Sequence, residues 1–408
     1  MNIGLVLAIA GFAVTLLGLP IMRANWTRAR SDQSLSRFRQ VLDQVRTGHS
    51  QLNALTLSES ETVGAVVGLP VLAKEGWILD EPTSLESVRL VMLKASPNDY
   101  QVTVARRHAQ RLMPRRTDGS RYQGFSQTLI ELGEMPHLYN GVTYRPVGVN
   151  ATSGGLEITL TTGKYFDHLD TTTVLAYETA ARLVSGRKRI QDGRYRRYVD
   201  DPFDLTRRTT GLGINTLTVR RGQNGCGFYM HRRNGRWVAE GSELIHTVPA
   251  GEFTPSDVGL QAQEDDLNLW RNIMREYAEE FLDMEEAYGR GGRPINYAEQ
   301  APFKQLDQAR KNGDLKAYLL GVGLDPLDWK PALFTICVFE AKAFDAIFAD
   351  IVVDGKEGTI LVGPDGFGIP FNARFVHMYA DDRNTTNAGT VNLRLAWHHR
   401  VALGIAGS

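Results

Sequence analysis

The chain has 408 residues and carries 46 basic against 46 acidic side chains, a formal net charge of zero. That length accommodates two globular domains beside a terminal segment, and the balanced charge argues against a dedicated nucleic-acid binder. Its two cysteines, Cys226 and Cys337, stand far apart without metal-ligand spacing and fit a reducing compartment.

Residues 1–22 contain no charged side chain, and residues 3–22 are mostly apolar. At about 1.5 Å per residue a helix of this length spans a hydrocarbon core of about 30 Å. Trp26 follows where an interfacial aromatic belongs, and Arg23, Arg28, Arg30, Arg37, Arg39 and Arg46 face only Asp32 and Asp43. The positive-inside rule then predicts a single-pass anchor over residues 1–26, in the plasma (inner) membrane, with the bulk of the chain cytoplasmic. A cleaved signal peptide would need a basic stretch before the apolar run and a small-x-small site after it, and neither is present. On the cytoplasmic side the sequons at Asn25, Asn150 and Asn384 are irrelevant.

Residues 27–60 read as a juxtamembrane helix, with Leu35, Phe38, Leu42 and Val45 at helical spacing, as a stalk or a short coiled-coil seam. Residues 61–185 read as an α+β region. Its predicted elements are strands over 88–93 and 100–104 around the Ser96-Pro97-Asn98-Asp99 turn, a helix over 122–132, a strand over 156–160 and a helix over 171–183. Gly163-Lys164 is not a phosphate loop, because position 158 is Ile where that pattern needs Gly. Residues 186–200 read as a basic linker holding Arg187, Lys188, Arg189, Arg194, Arg196 and Arg197. Two readings apply to it: a solvated surface stretch, or a contact for phosphate or anionic lipid.

Residues 201–408 carry the chemistry. Arg207-Arg208, Arg220-Arg221 and Arg232-Arg233 are paired cations, and on a strand each pair places one residue on each face. Glu264-Asp265-Asp266 is an acidic run that helix-start capping explains. Next comes Arg275-Glu276-Tyr277-Ala278-Glu279-Glu280. On a helix Glu276, Glu279 and Glu280 project from one side, and Arg275 lies one turn from Glu279 and can orient it. Clustered carboxylates call for a cation, and a hard divalent ion, Mg²⁺ or Mn²⁺, suits an all-oxygen set. Leu267, Trp270, Met274, Tyr277, Phe281 and Met284 form an apolar stripe on the opposite face. Beyond lie a glycine-rich loop over 288–294, helices over 305–311 and 314–320, a strand over 333–339, a short helix or loop over 341–348, a strand over 373–379 and a packing helix over 393–404. His398-His399, in that last helix, reads as packing or surface. No Ser-His-Asp, Gly-x-Ser-x-Gly or His-Glu-x-x-His arrangement is present.

The acidic hexapeptide resembles the second half of the Nudix signature. Tyr229-Met230-His231-Arg232-Arg233 is similar to the strand that precedes a Nudix box, and His246-Thr247-Val248-Pro249-Ala250-Gly251-Glu252-Phe253 to the turn that opens it. The stretch from Gly251 to Arg275 is roughly ten residues longer than in the family, an insertion around residues 254–265. Leu267 and Leu282 replace a glutamate and a glycine of the pattern. Gly163-Lys164-Tyr165-Phe166-Asp167 and Asp201-Pro202-Phe203-Asp204-Leu205-Thr206-Arg207-Arg208 widen the resemblance to an actinobacterial Nudix-related module that often stands behind helix-turn-helix regulators. No helix-turn-helix is seen here.

The resemblance implies an α/β fold: a Nudix-like α/β/α sandwich in the C-terminal half, after the α+β region and one transmembrane helix. It implies Glu276, Glu279 and Glu280 as metal positions, Glu276 and Arg275 as catalytic, and Gly251 with Arg232 or Arg233 at a nucleotide-like diphosphate. An enzyme would hydrolyse a nucleoside-diphosphate-linked substrate, with metal-activated water and a glutamate base. A sensor would bind such a ligand without turnover and act through oligomerisation of the anchor. A membrane-held scaffold would use the acidic helix structurally only.

Overall fold

The computed structural model describes residues 3–59, 64–94, 99–187, 189–233, 244–285, 295–356, 358–363 and 366–406, and of residues 3–24 the backbone only. Strands β1 (Ile78–Ser84), β2 (Val88–Met92), β3 (Val142–Thr152) and β4 (Gly155–Lys164) precede β5 (Gly213–Gly222), β6 (Gly225–Phe228), β7 (Met230–Arg233), β8 (Ile245–Thr247) and β9 (Ala250–Glu252). β10 (Leu315–Leu324), β11 (Pro331–Glu340), β12 (Gly358–Leu361) and β13 (Ile369–Pro370) complete the set. The fold is mixed α/β. One seven-stranded sheet runs β1-β10-β11-β5-β6-β13 with β9 also on β5, and two three-stranded sheets run β12-β7-β8 and β2-β4-β3.

The large sheet is buried on both faces. On β11, Leu333, Cys337 and Phe339 point into one layer, and Phe334, Ile336 and Val338 into the other, as the two-residue strand period requires. The first layer holds the acidic helix, Leu269–Leu282. Its Tyr277 and Phe281 pack on Phe339, Phe344 and Phe348, with ring centroids 4.9–6.2 Å apart. Burying each such ring contributes about 1.5–3 kcal/mol. The Tyr277 hydroxyl is not orphaned, because it meets Thr218 Oγ1 at 2.8 Å. The second layer holds the helix Asn387–His398, through Val391, Leu393, Leu395 and Ala396.

The N-terminal helix runs from Ile3 to Thr47 and is followed by a second, His49–Ser58. Phe38, Val41 and Leu42 are buried, Phe38 lying 5.1 Å from Tyr177 and 6.1 Å from Phe125. The apolar face expected to form a stalk or coiled-coil seam is thus filled from within the chain. Among the described residues no helix is long and apolar enough to cross a membrane. The side chains of the expected anchor, residues 3–22, lie outside the described ones, as do the expected loop over 288–294 and most of the turn at 96–99.

A helical run from Tyr165 to Val184, widened by one looser turn at Leu169–Thr173, organises this half. Its Asp170 accepts the Ser126 N–H at 2.8 Å, over Gly124, where the helix Phe125–Glu131 begins. Its Glu178 accepts the Tyr195 and Arg196 N–H groups at 2.8 and 2.9 Å, over Gly193, where the helix Arg194–Val199 begins. Both glycines are required by close approach, since a Cβ at either would overlap the carboxylate.

Three expected elements are corrected. Residues 100–104 belong to a helix, Asp99–Gln110, whose Val102, Ala105 and Ala109 are buried at helical spacing. Residues 314–320 open β10, which pairs with β1 and β11. Residues 373–379 form a helix, Ala373–Ala380, whose Asn372 side chain accepts the Phe375 N–H at 3.1 Å. The stretch 190–199 is not uniformly solvated: Tyr195, Arg196 and Val199 are buried within it.

Candidate functional site

β9 runs antiparallel to β5, placing Gly251 opposite Ile214 and Ala250 opposite Asn215. The acidic helix crosses above. Asn268 starts it by accepting the Arg271 N–H at 3.1 Å, and it ends at Leu282, where Asp283 turns left-handed (φ 50°). It therefore runs only two residues past Glu280. Asp266 is no helix cap. It is buried, accepts the Ser256 N–H at 2.8 Å and the Tyr297 hydroxyl at 2.8 Å, and pairs with Arg275 at 3.4 Å.

Glu276 sits directly over Gly251, where any Cβ would overlap its carboxylate. Asn272, fully buried, donates to Glu276 Oε1 at 3.3 Å. Glu280 turns inward. Its Oε1 accepts the Ala250 N–H at 3.2 Å, and Oε2 lies 3.2 Å from His231 Nδ1, an ion pair whenever that imidazole carries a second proton. Oε2 accepts no hydrogen bond although it is buried. Glu279 is half-buried, as is Glu276. The helix thus brings Glu276 and Glu280 together over β9, as their spacing predicts. Arg275 has a different setting from the expected one: it is buried and donates to the Tyr297 hydroxyl at 2.8 Å, to Asn272 Oδ1 at 2.9 Å and to Thr254 O. It orders the inserted 254–266 stretch against the helix.

The Arg232-Arg233 pair is divided by strand alternation. Met230 joins the second-layer core and Arg232 follows it on that side, exposed, whereas Arg233 shares the face of His231. His231 stands opposite His246 on β8. Burial pushes the His246 pKa well below its ordinary value, and Arg233, His231 and Lys330 press it further down. Lys330 also reaches Glu252, at 3.4 Å, whose other oxygen accepts the Thr143 hydroxyl at 2.8 Å. His246 thus has Arg233 and Lys330 near it, while three carboxylates, Glu252, Glu276 and Glu280, lie on or over β9. Lys330 and Asn272 had no signal in the sequence, His231 and His246 stood there only within the Nudix-like stretches, and Asp266 as part of an acidic run read as capping. Only His231 had a readable signal, two places before Arg233 on the same strand face.

Among the described residues no three His, Cys, Asp or Glu side chains are grouped so as to hold a metal ion. Glu280 faces the Ala250 N–H and His231. The side chains as placed do not fit a three-carboxylate Mg²⁺ or Mn²⁺ centre. No protein-family model matches the chain, and no curated protein matches it significantly.

Proposed function

We propose that the chain is a membrane-held, Nudix-like protein that binds a nucleoside-diphosphate-linked ligand over β9, with residues 3–22 as the tether and the rest cytoplasmic. The observation that carries the reading is the seating of Glu276 over Gly251. Glu276 fills the space over Gly251 and Glu280 takes the Ala250 N–H, so a diphosphate reaches this backbone when Glu276 swings aside or a cation bridges it to the carboxylates. Arg233 and Lys330 supply positive charge there, and His246, held neutral, can accept or donate one hydrogen bond without adding charge. Arg275 and Asp266 position the inserted segment beside the site. On this reading the protein senses its ligand.

Turnover is the second reading, and one observation favours it: Glu280 Oε2 is buried without a hydrogen bond, an acceptor left for a cation. The discriminating experiment uses the full chain in neutral-lipid nanodiscs, with thermal melting and phosphate release measured over a panel of nucleoside diphosphate derivatives, with and without Mg²⁺. A ligand-dependent rise in melting temperature without release is expected. Mg²⁺-dependent release that disappears in Glu276→Gln would replace the sensor by the hydrolase. A folded chain that answers to neither ligand nor Mg²⁺ would leave the scaffold.

A further inference from the structure

Away from the acidic helix, the segment after Val184 forms a concavity of about 590 Å³ lined by Arg182, Arg187, Arg189, Asp192 and Arg197. Four guanidinium groups against one carboxylate give the lining a net charge of +3. These cations are not equivalent. Arg182 is 13% exposed and works as a brace: Nε donates to Arg189 O at 2.7 Å, Nη1 to Asp192 O at 3.2 Å, and Nη2 lies 3.9 Å from the Asp192 carboxylate. It neutralises the one acid in the lining. Arg187, Arg189 and Arg197 are exposed, and no acidic side chain among the described residues pairs with them.

The loop that presents them is held from below. Glu59 accepts the Ile190 N–H at 2.9 Å and the Gln191 N–H at 3.2 Å. Glu178 takes the Tyr195 and Arg196 N–H groups. These four backbone donors are therefore already used, and the groups exposed at the hollow are chiefly side-chain guanidinium. Exposed arginines bordering one hollow repel each other, and arginine loses its charge at no accessible pH. Such an arrangement is stabilised by a polyanion that takes two N–H bonds from each fork.

We propose that this concavity is a second binding site, for a small soluble molecule dense in phosphate groups. Its volume falls in the roughly 300–1,000 Å³ range of small-molecule sites. Its lining among the described residues holds no aromatic or aliphatic side chain and four arginines, which matches phosphate better than an apolar ligand group. The site shares no residue with the one over β9 and stands without it, while its distance from the bilayer rests on residues 3–22 being the tether. An anionic lipid headgroup offers the same chemistry, but position disfavours it. The concavity adjoins Arg37, which donates to the Ser185 hydroxyl. Arg37 lies fifteen residues beyond Met22 in one continuous helix, about 22 Å along its axis at 1.5 Å per residue. That exceeds the screening length of about 8 Å at physiological salt.

The test titrates pyrophosphate and tripolyphosphate into the full chain in neutral-lipid nanodiscs by calorimetry, and repeats it in nanodiscs containing phosphatidylglycerol. Saturable binding is expected, weakened roughly tenfold or more in Arg187→Ala/Arg189→Ala. Arg187→Lys/Arg189→Lys, which keeps charge and loses the forks, should fall between. Glu276→Gln should leave that component in place. Absence of binding to the wild-type chain, or binding unchanged in the double alanine variant, overturns the proposal. Pyrophosphate affinity that drops more than tenfold in the anionic nanodiscs, and recovers in neutral ones, would assign the concavity to lipid headgroups instead.

Discussion

The acidic helix and the arginine loop handle charge in opposite ways. Over β9 the charged groups are drawn inward: Arg275 is matched with Asp266 and Tyr297, and Glu280 accepts the Ala250 N–H through Oε1 and lies beside His231 through Oε2. In the loop, half-buried Glu59 and buried Glu178 hold only the backbone, and three guanidinium groups are left outside. A charge that is matched internally contributes to stability, and one left outside is available to a ligand. Neighbours in sequence can differ in this way: Arg196 is fully buried against Trp329 at 4.4 Å, and Arg197 beside it is exposed.

The contrast breaks most visibly at Arg275. Arg275→Ala leaves Asp266 buried without its cation, and unfolding by urea should show a loss of about 3–5 kcal/mol. A loss below 1 kcal/mol would mean that the Ser256 and Tyr297 bonds suffice for Asp266. Acidification should act next. His246 stays neutral in the fold, its pKa lowered by burial first and by Arg233 and His231 after, whereas in the unfolded chain it takes a proton near pH 6.5. The unfolded state then binds more protons, so this stability is complete above about pH 6.5. It declines by up to about 1.4 kcal/mol per pH unit below that, until the folded-state pKa is reached. His49, also lowered chiefly by burial, adds to the slope. Stability measured between pH 7 and 5 should show a shallower slope in His246→Asn, and an unchanged slope would locate the effect elsewhere.

Gly251→Ala should separate stability from binding. The overlap is with the far end of a flexible side chain, and φ at residue 251 is not in the left-handed region. Glu276 can swing aside at a cost of about 1–2 kcal/mol, yet the ligand-dependent rise in melting temperature should disappear. Retention of that rise would detach Gly251 from the site. The smallest effect belongs to the loop: Arg187→Ala/Arg189→Ala should shift stability by no more than about 0.5 kcal/mol, as expected of exposed, unpaired side chains. A larger loss would show that the loop arginines brace the fold after all.

The acidic helix was legible because its apolar stripe and its carboxylates fall on different faces. Trp270, Met274, Tyr277 and Phe281 are buried as their spacing predicts, while Met284, beyond the helix end, is exposed. β10 was not legible. Its residues Leu315 to Leu324 are nearly all buried, so they show no alternation, and Leu, Ala and Lys favour helix until β1 and β11 pair with them. In the helix Asp99–Gln110 the β-branched Val102, Thr103 and Val104 favoured a strand, but burial every three to four residues prevailed. The Asn372 cap was a signal present in the sequence and not used. At the site, Gly251 with Glu276 could be anticipated from the Nudix resemblance. The Glu280–His231 pairing could not, because it depends on how β7 meets the helix.

The helical run Tyr165–Val184 supplies carboxylates that complete the starts of two other helices, through Asp170 and Glu178. Those helices, Phe125–Glu131 and Arg194–Val199, are too short to persist alone in water. The three should therefore open and close as one unit in native-state hydrogen exchange, with shared opening free energies. The arginine loop hangs from the end of that unit. A ligand that binds it would slow amide exchange not only in the loop but as far away as Ser126, whose N–H is sealed by Asp170.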